Sequence, residues 1–98
     1  MSGRIAAKID ANQPQIVKDL RQIGCTVQSL AGVGKGCPDL LVGFRGRNYL
    51  MEVKDGRRSP CERRLTPDEE AWQLAWRGLP VSIVESVADA LETIGVGP

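Results

Sequence analysis

Asp39, Glu52 and Lys54 are the residues of this chain that point most directly to catalysis. Asp39 follows Pro38, and Glu52 and Lys54 come thirteen and fifteen residues after Asp39. Carboxylate oxygens are the ligands that hard divalent cations prefer, and an ammonium group can stabilise negative charge on a reacting phosphate. These side chains are the minimum set for hydrolysis of a phosphodiester by a cation-activated water.

The segments that must position these residues have the pattern of a β-hairpin. Residues 38–44 and 47–54 are rich in apolar side chains, and residues 45–46 between them interrupt the pattern as a turn does. A two-residue turn would place Phe44 opposite Arg47. A four-residue turn would leave the same residues opposed, so the predicted register does not depend on this choice.

That register places Asp39 opposite Glu52. Directly opposed residues share a face of the sheet with Cβ atoms about 4.5–5.5 Å apart, and Lys54 shares that face because strand side chains alternate. Two opposed carboxylates are unfavourable unless a positive charge compensates them, which a divalent cation would do. The alternative is that Glu52 and Lys54 are solvated residues of a half-exposed strand, with Asp39 in a turn.

Three short segments resemble the motifs of one nuclease superfamily. GCPD at 36–39, EVK at 52–54 and LTPDE at 65–69 resemble the PD-(D/E)xK pattern, and the chain is similar to the stand-alone virus-type replication-repair nuclease (VRR-NUC) domains of phages and bacteria. The resemblance runs from about Asp10 to Ile94. It implies an α/β protein with a restriction-endonuclease-like core, in which a central mixed sheet is flanked by helices in the order α-β-β-β-α-β-α.

The resemblance also implies an activity and the residues that carry it. It implies an Mg²⁺- or Mn²⁺-dependent endodeoxyribonuclease that cleaves branched DNA such as Holliday junctions as a homodimer. Asp39 and Glu52 would ligate the cation together with the Val53 carbonyl. Lys54 would orient or deprotonate the attacking water, or stabilise charge on the phosphorane.

Two positions depart from the family pattern. The family usually has Gln where this chain has Glu69, and many members have a Glu in the first helix where this chain has Asn12 and Gln15. Glu69 is explained equally well by a capping box with Thr66 or by a place in the site. Asn12 is explained as a helix N-cap, or Asn12 or Gln15 replaces the missing Glu as a neutral ligand.

These departures keep two other classes of function open. One is a catalytically weak or silent DNA-binding module of the same fold. The other is an interaction partner in a phage replication complex, in which the nuclease remnant is structural.

Basic residues cluster next to the expected site, although the whole chain has a formal net charge of only +1. Residues 54–64 contain five basic and two acidic side chains. A solvated charge run would explain them, but contact with a DNA backbone explains them better, because the carboxylates alone would repel phosphate. The expected phosphate contacts are Lys35, Arg57, Arg58, Arg63 and Arg64.

The remaining elements follow from periodicity and from helix start and stop signals. We expect helices at about 12–24, 66–77 and 86–94, and strands at 25–30 and 80–85 in addition to the hairpin. Trp72 and Trp76 lie four residues apart, which predicts core packing or an oligomer interface rather than base stacking. We expect residues 1–98 to form one domain, in which residues 1–9 are a loose arm or a first helical turn.

Composition excludes several classes. There are three Cys and no His, without closely spaced Cys pairs, which argues against structural zinc. No apolar run is long enough to span a membrane, and no signal-peptide pattern begins the chain. We therefore expect a cytoplasmic protein with reduced thiols.

Overall fold

Three helices and four strands follow one another in the predicted order. The structure, a computed structural model, describes residues 9–97, so the arm expected at 1–9 lies outside the described residues except for Ile9. The elements are α1 (Gln13–Gln22), β1 (Thr26–Ser29), β2 (Leu40–Phe44), β3 (Arg47–Val53), α2 (Pro67–Ala75), β4 (Ser82–Val84) and α3 (Val87–Thr93). None of the helices in this range is long and apolar enough to cross a membrane.

The four strands form one mixed sheet in the order β1-β2-β3-β4. The pairs β1–β2 and β2–β3 are antiparallel, and β3–β4 is parallel. Arg45 (φ 49°) and Gly46 (φ 79°) both have positive φ, as a two-residue type I′ turn requires. Phe44 consequently pairs with Arg47, which confirms the predicted hairpin register.

The main core lies between one face of this sheet and helices α1 and α3. Its side chains come from both helices and from every strand, and its largest fully buried members are Ile16, Leu20, Leu40, Val42, Met51, Val53 and Val84. Because side chains alternate along β3, Glu52 points to the opposite face from Met51 and Val53. The sheet therefore separates the apolar core from the polar residues of interest.

Helix α2 contributes little to this core. Thr66 and Glu69 form the predicted capping box, with Pro67 in the first turn. The helix ends at Ala75 instead of the expected Arg77, because Trp76 is already extended. It has no buried residue, and Trp76 is 46% exposed, so core packing, one of the two expected alternatives, is excluded for Trp76. Trp76 instead stacks on Trp72, with ring centroids 4.7 Å apart.

Candidate active site

Asp39 and Glu52 lie side by side at the open end of the β2–β3 hairpin. Leu40 and Met51 are the last paired residues, so Asp39 stands one step further, opposite Glu52. The Asp39 Oδ2 atom accepts a hydrogen bond of 2.8 Å from the Val53 backbone N–H. This bond fixes the Asp39 carboxylate beside β3, in the position that the predicted hairpin register requires.

Glu52 is the most buried acidic residue of this cluster. It is 3% exposed, and its Oε2 atom lies 3.5 Å from Lys54 Nζ. Among the residues that the structure describes, its Oε1 atom has no hydrogen-bond partner. Most buried polar atoms in proteins have such a partner, and Glu52 Oε1 is one of four buried side-chain atoms in the described residues that lack one.

Glu69 joins the same cluster from the first turn of α2. Its Oε1 atom accepts hydrogen bonds of 2.9 Å from the Thr66 backbone N–H and from Lys54 Nζ. The predicted capping box is therefore confirmed, and the same carboxylate also contacts Lys54 at the edge of the cavity. One oxygen caps the helix and holds the lysine.

Gly36 allows α2 to approach this closely. Its φ of +85° lies in the left-handed region, and a Cβ atom at this position would overlap the Asp68 carbonyl and the Glu69 amide. The glycine-rich loop before Asp39 therefore packs against the start of α2. That contact helps bring Glu69 to the site.

These residues surround a cavity of about 370 Å³. Residues from the helix starts, the hairpin and the basic loop line it: Asp10, Asp39, Glu52, Val53, Lys54, Arg58, Glu62, Arg64, Thr66 and Glu69. The predicted residues Asp39, Glu52, Val53, Lys54 and Glu69 are thus brought together. Five acidic and three basic side chains give the lining a formal charge of −2.

The crowding of carboxylates changes their protonation. Burial, followed by the charge of Asp39 and contacts with Glu69, raises the pKa of Glu52 to about 9. Burial also raises the pKa of Asp39, although the Val53 N–H opposes this by stabilising the charged form. We place the shared proton on Glu52, because only Asp39 accepts a backbone hydrogen bond.

Lys54 is held as an ammonium group. Burial by itself would lower the pKa of Lys54, but the hydrogen bond to Glu69 and the charge of Glu52 outweigh burial and raise it. The side chain is 10% exposed, so its charge acts in a largely dehydrated setting. Lys54 can therefore donate hydrogen bonds into the cavity.

The donor set can be compared with what a divalent cation needs. Within residues 9–97, no group of three or more Asp, Glu or Cys side chains is arranged to hold a metal ion. A cation would then depend on two carboxylates, a backbone carbonyl and water, and Mg²⁺ commonly keeps several waters in this way. The unpaired Glu52 Oε1 and the formal charge of −2 both fit one divalent cation.

Asn12 and Gln15 do not reach the cavity. Asn12 occupies the predicted N-cap position of α1, but its side chain makes no cap bond. Its Nδ2 atom instead donates hydrogen bonds of 3.1 Å to the carbonyls of Lys54 and Glu85. Gln15 is exposed and bonds to Asp19. Neither residue is placed to act as a neutral ligand in the cavity.

Asp10 is a further acidic residue of the cavity. It precedes α1, lines the cavity, and its charge contributes to raising the pKa of Asp39. No sequence pattern assigned Asp10 to the site. The available signal was modest: Asp10 is the last acidic residue before the first helix.

The expected phosphate contacts separate into two groups. Arg58 and Arg64 line the cavity, whereas Arg57 and Arg63 are paired elsewhere with Asp55 and Glu85. Lys35 (φ 55°) is exposed in the glycine-rich loop and does not line the cavity.

The fold and the site together define an α/β protein with an acidic cluster around the buried Glu52 and a fixed ammonium group at one end of a β-hairpin. Comparison with protein-family models, curated proteins and solved structures finds no significant match for this chain.

Proposed function

We propose that the protein is a metal-dependent endonuclease of the VRR-NUC type, with a restriction-endonuclease-like core, that hydrolyses phosphodiester bonds in DNA. One observation carries the proposal. Glu52 is buried opposite Asp39 with an unpaired Oε1 atom, in a cavity that also holds the Lys54 ammonium group. A purely structural role would require the buried Glu52 carboxyl to keep its proton at neutral pH beside Asp39.

A divalent cation would be held by Asp39, Glu52 and the Val53 carbonyl. Mg²⁺ or Mn²⁺ bound there would polarise the phosphate and lower the pKa of a bound water. The buried pair needs either a proton or a cation, because two neighbouring carboxylates disfavour joint ionisation. Glu52 keeps the proton when no cation is present and would release it on binding.

Lys54 supplies positive charge in this proposal and does not act as a base. Its raised pKa keeps it protonated at neutral pH, so it cannot remove a proton from water. Its ammonium group can donate to a phosphate oxygen as negative charge develops there, an interaction that strengthens in the transition state. Of the roles that the sequence leaves open, this one agrees best with its surroundings.

Cleavage of a labelled four-way DNA junction and of linear duplex, with and without Mn²⁺, tests the proposal. We expect Mn²⁺-dependent cleavage by the wild type and a loss of at least roughly a hundredfold in Glu52→Gln, because the substitution removes a ligand charge. Glu70→Gln, an exposed residue of α2, is the matched control. Equal activity in wild type and Glu52→Gln would overturn the proposal.

Titration calorimetry with Mn²⁺ gives a second measurement that does not depend on turnover. We expect binding of Mn²⁺ to the wild type and to Glu70→Gln, and a large loss of binding in Glu52→Gln. Absence of heat with the wild type at saturating Mn²⁺ would also count against the assigned ligands.

A catalytically silent DNA-binding module is the second candidate. The observation that favours it is the orientation of Asn12 and Gln15, which leaves α1 without a ligand in the cavity. Binding of the junction without cleavage in either Mg²⁺ or Mn²⁺ would support this candidate over the enzyme.

Branched DNA as substrate and a homodimer as the active form belong to the same proposal. Exposed apolar side chains on and after α2, Leu74, Trp76 and Leu79, agree with a partner surface. Analytical ultracentrifugation of the wild type and Trp76→Ala would test it, and a monomer at all concentrations would exclude a dimer.

A further inference from the structure

Resting on the proposed function, we infer that Arg58 and Arg64 form the phosphate-binding side of the cavity, whereas Arg57 and Arg63 hold the basic loop in place. The ligand is a phosphodiester of a nucleic-acid backbone. All four arginines lie within one stretch of eight residues, so their positions in the sequence do not show which of them bind phosphate. Their partners in the structure distinguish them.

Arg57 forms an ion pair with the buried carboxylate of Asp55. Its Nε and Nη2 atoms donate to the two oxygens of Asp55 at 3.1 and 3.0 Å, and its backbone N–H donates to Oδ1 at 3.0 Å. Asp55 is only 6% exposed. Displacing the Arg57 guanidinium would leave the buried Asp55 carboxylate with only the backbone N–H of Arg57, so a phosphate would not displace it readily.

Arg63 forms a similar ion pair with Glu85. Its Nη1 atom lies 3.2 and 3.1 Å from the two oxygens of Glu85, and its Nε atom donates to the Arg58 carbonyl at 2.9 Å. These bonds connect the basic loop to the residue that follows β4. Arg63 therefore shapes the loop that presents Arg58.

The ion pair of Arg58 is weaker than those of Arg57 and Arg63. Its ion pair with Glu62 joins two exposed side chains four residues apart, at 2.9 Å. Exposed pairs of this kind contribute little to stability, whereas a guanidinium bonds strongly to phosphate through two parallel hydrogen bonds. An incoming phosphate can therefore replace Glu62 as the partner of Arg58.

Arg64 has no ion pair within residues 9–97 and lines the same cavity. Together with Lys54, the two arginines offer three positive groups beside the carboxylates. A phosphodiester that enters the cavity can thus contact positive charge while its scissile bond faces Asp39 and Glu52. Without the arginines, the acidic lining would repel it.

Salt dependence of DNA binding tests this assignment without requiring cleavage. The probe is a fluorescein-labelled four-way junction, titrated in Ca²⁺ by anisotropy over a series of salt concentrations. We expect Arg58→Ala and Arg64→Ala each to weaken binding at low salt by at least roughly tenfold. Each should also reduce the slope of log K against log salt by about 0.9, the value for one lost phosphate contact.

Arg57→Ala and Arg63→Ala are the matched controls, because each removes the same charge from the same loop. We expect both to keep the wild-type slope and to lower the melting temperature. Should either fail to fold, Arg77→Ala, an exposed arginine that does not line the cavity, serves as the charge control. Arg58→Lys should retain the slope, since it preserves the charge.

Equal slopes in all four alanine variants would overturn the assignment, as would absence of junction binding by the wild type. The two proposals can fail separately. If the predicted slopes are found but the wild type does not cleave in Mn²⁺, the nuclease proposal fails and the phosphate site stands. If the wild type cleaves and the slopes do not differ, only the phosphate assignment fails.

Discussion

Lys54 and Glu69 are joined by a hydrogen bond of 2.9 Å between Nζ and Oε1, which ties the end of β3 to the first turn of α2. The same Oε1 atom caps the helix through the Thr66 N–H. Any movement of α2 therefore acts on Lys54. The bond makes the start of this helix part of the site, although no residue of α2 is buried.

Glu69→Ala is expected to release the Lys54 ammonium group. Nitrogen-15 NMR of lysine side chains checks this, because a buried, hydrogen-bonded ammonium exchanges slowly and gives a distinct signal. We expect that signal in the wild type and its loss in Glu69→Ala. Thr66→Ala is the control, since it removes the cap, at about 1 kcal/mol, and keeps the lysine contact. An unchanged signal in Glu69→Ala would contradict the role of Glu69.

Glu52→Gln is expected to stabilise the metal-free protein at neutral pH. The raised pKa of Glu52, about 9 against an ordinary 4.5, means that the folded state holds a proton that the unfolded state has lost. Wild-type stability should therefore fall as pH rises from about 4.5 to about 9, while Gln does not titrate. At pH 7 we expect the free energy of unfolding of Glu52→Gln to exceed that of the wild type by on the order of 3 kcal/mol, and we expect this difference to disappear below about pH 4.

Urea unfolding of both proteins from pH 4 to pH 9 measures this difference. Glu70→Gln should show no comparable gain, because that side chain is exposed. A gain in Glu52→Gln that stayed constant with pH would show that burial of the Glu52 charge is not its origin.

Gly36→Ala is expected to displace α2 or to destabilise the protein by about 2 kcal/mol or more, because it combines a positive φ with a steric overlap. Gly32→Ala is the control, since its Cβ would meet nothing within 4 Å and its φ is not in the left-handed region. Thermal unfolding followed by circular dichroism compares the two. Similar melting temperatures would argue against the close contact between Gly36 and the Asp68 carbonyl.

Asn12→Ala is expected to destabilise the protein by roughly 1–3 kcal/mol, because it leaves the carbonyls of Lys54 and Glu85 without their shared donor. Gln15→Ala, an exposed position on the same helix, should change stability by less than about 0.5 kcal/mol. Denaturant unfolding separates these outcomes. If Asn12 acted only as an N-cap, Asn12→Ser would restore stability; we expect that it does not.

The hairpin and the cap of α2 could be read from the sequence because both depend on neighbouring residues. A two-residue turn at Arg45 and Gly46 sets the register, and alternation then places Asp39 and Glu52 together. The capping box of Thr66 and Glu69 spans four residues. Element order followed from similar local signals, although α2 and β4 are shorter than predicted because their ends depend on packing.

The tertiary structure alone decided which polar groups meet across the chain. Asn12 bonds to the Glu85 carbonyl over 73 residues, and Arg63 pairs with Glu85 over 22. No local pattern encodes such distances, because they arise when α1, β4 and the basic loop pack around β3. The sequence therefore determined that Asp39 and Glu52 lie side by side. Packing determined that Asp10 joins them and that Arg58 and Arg64, but not the other two arginines of the basic loop, line the same cavity.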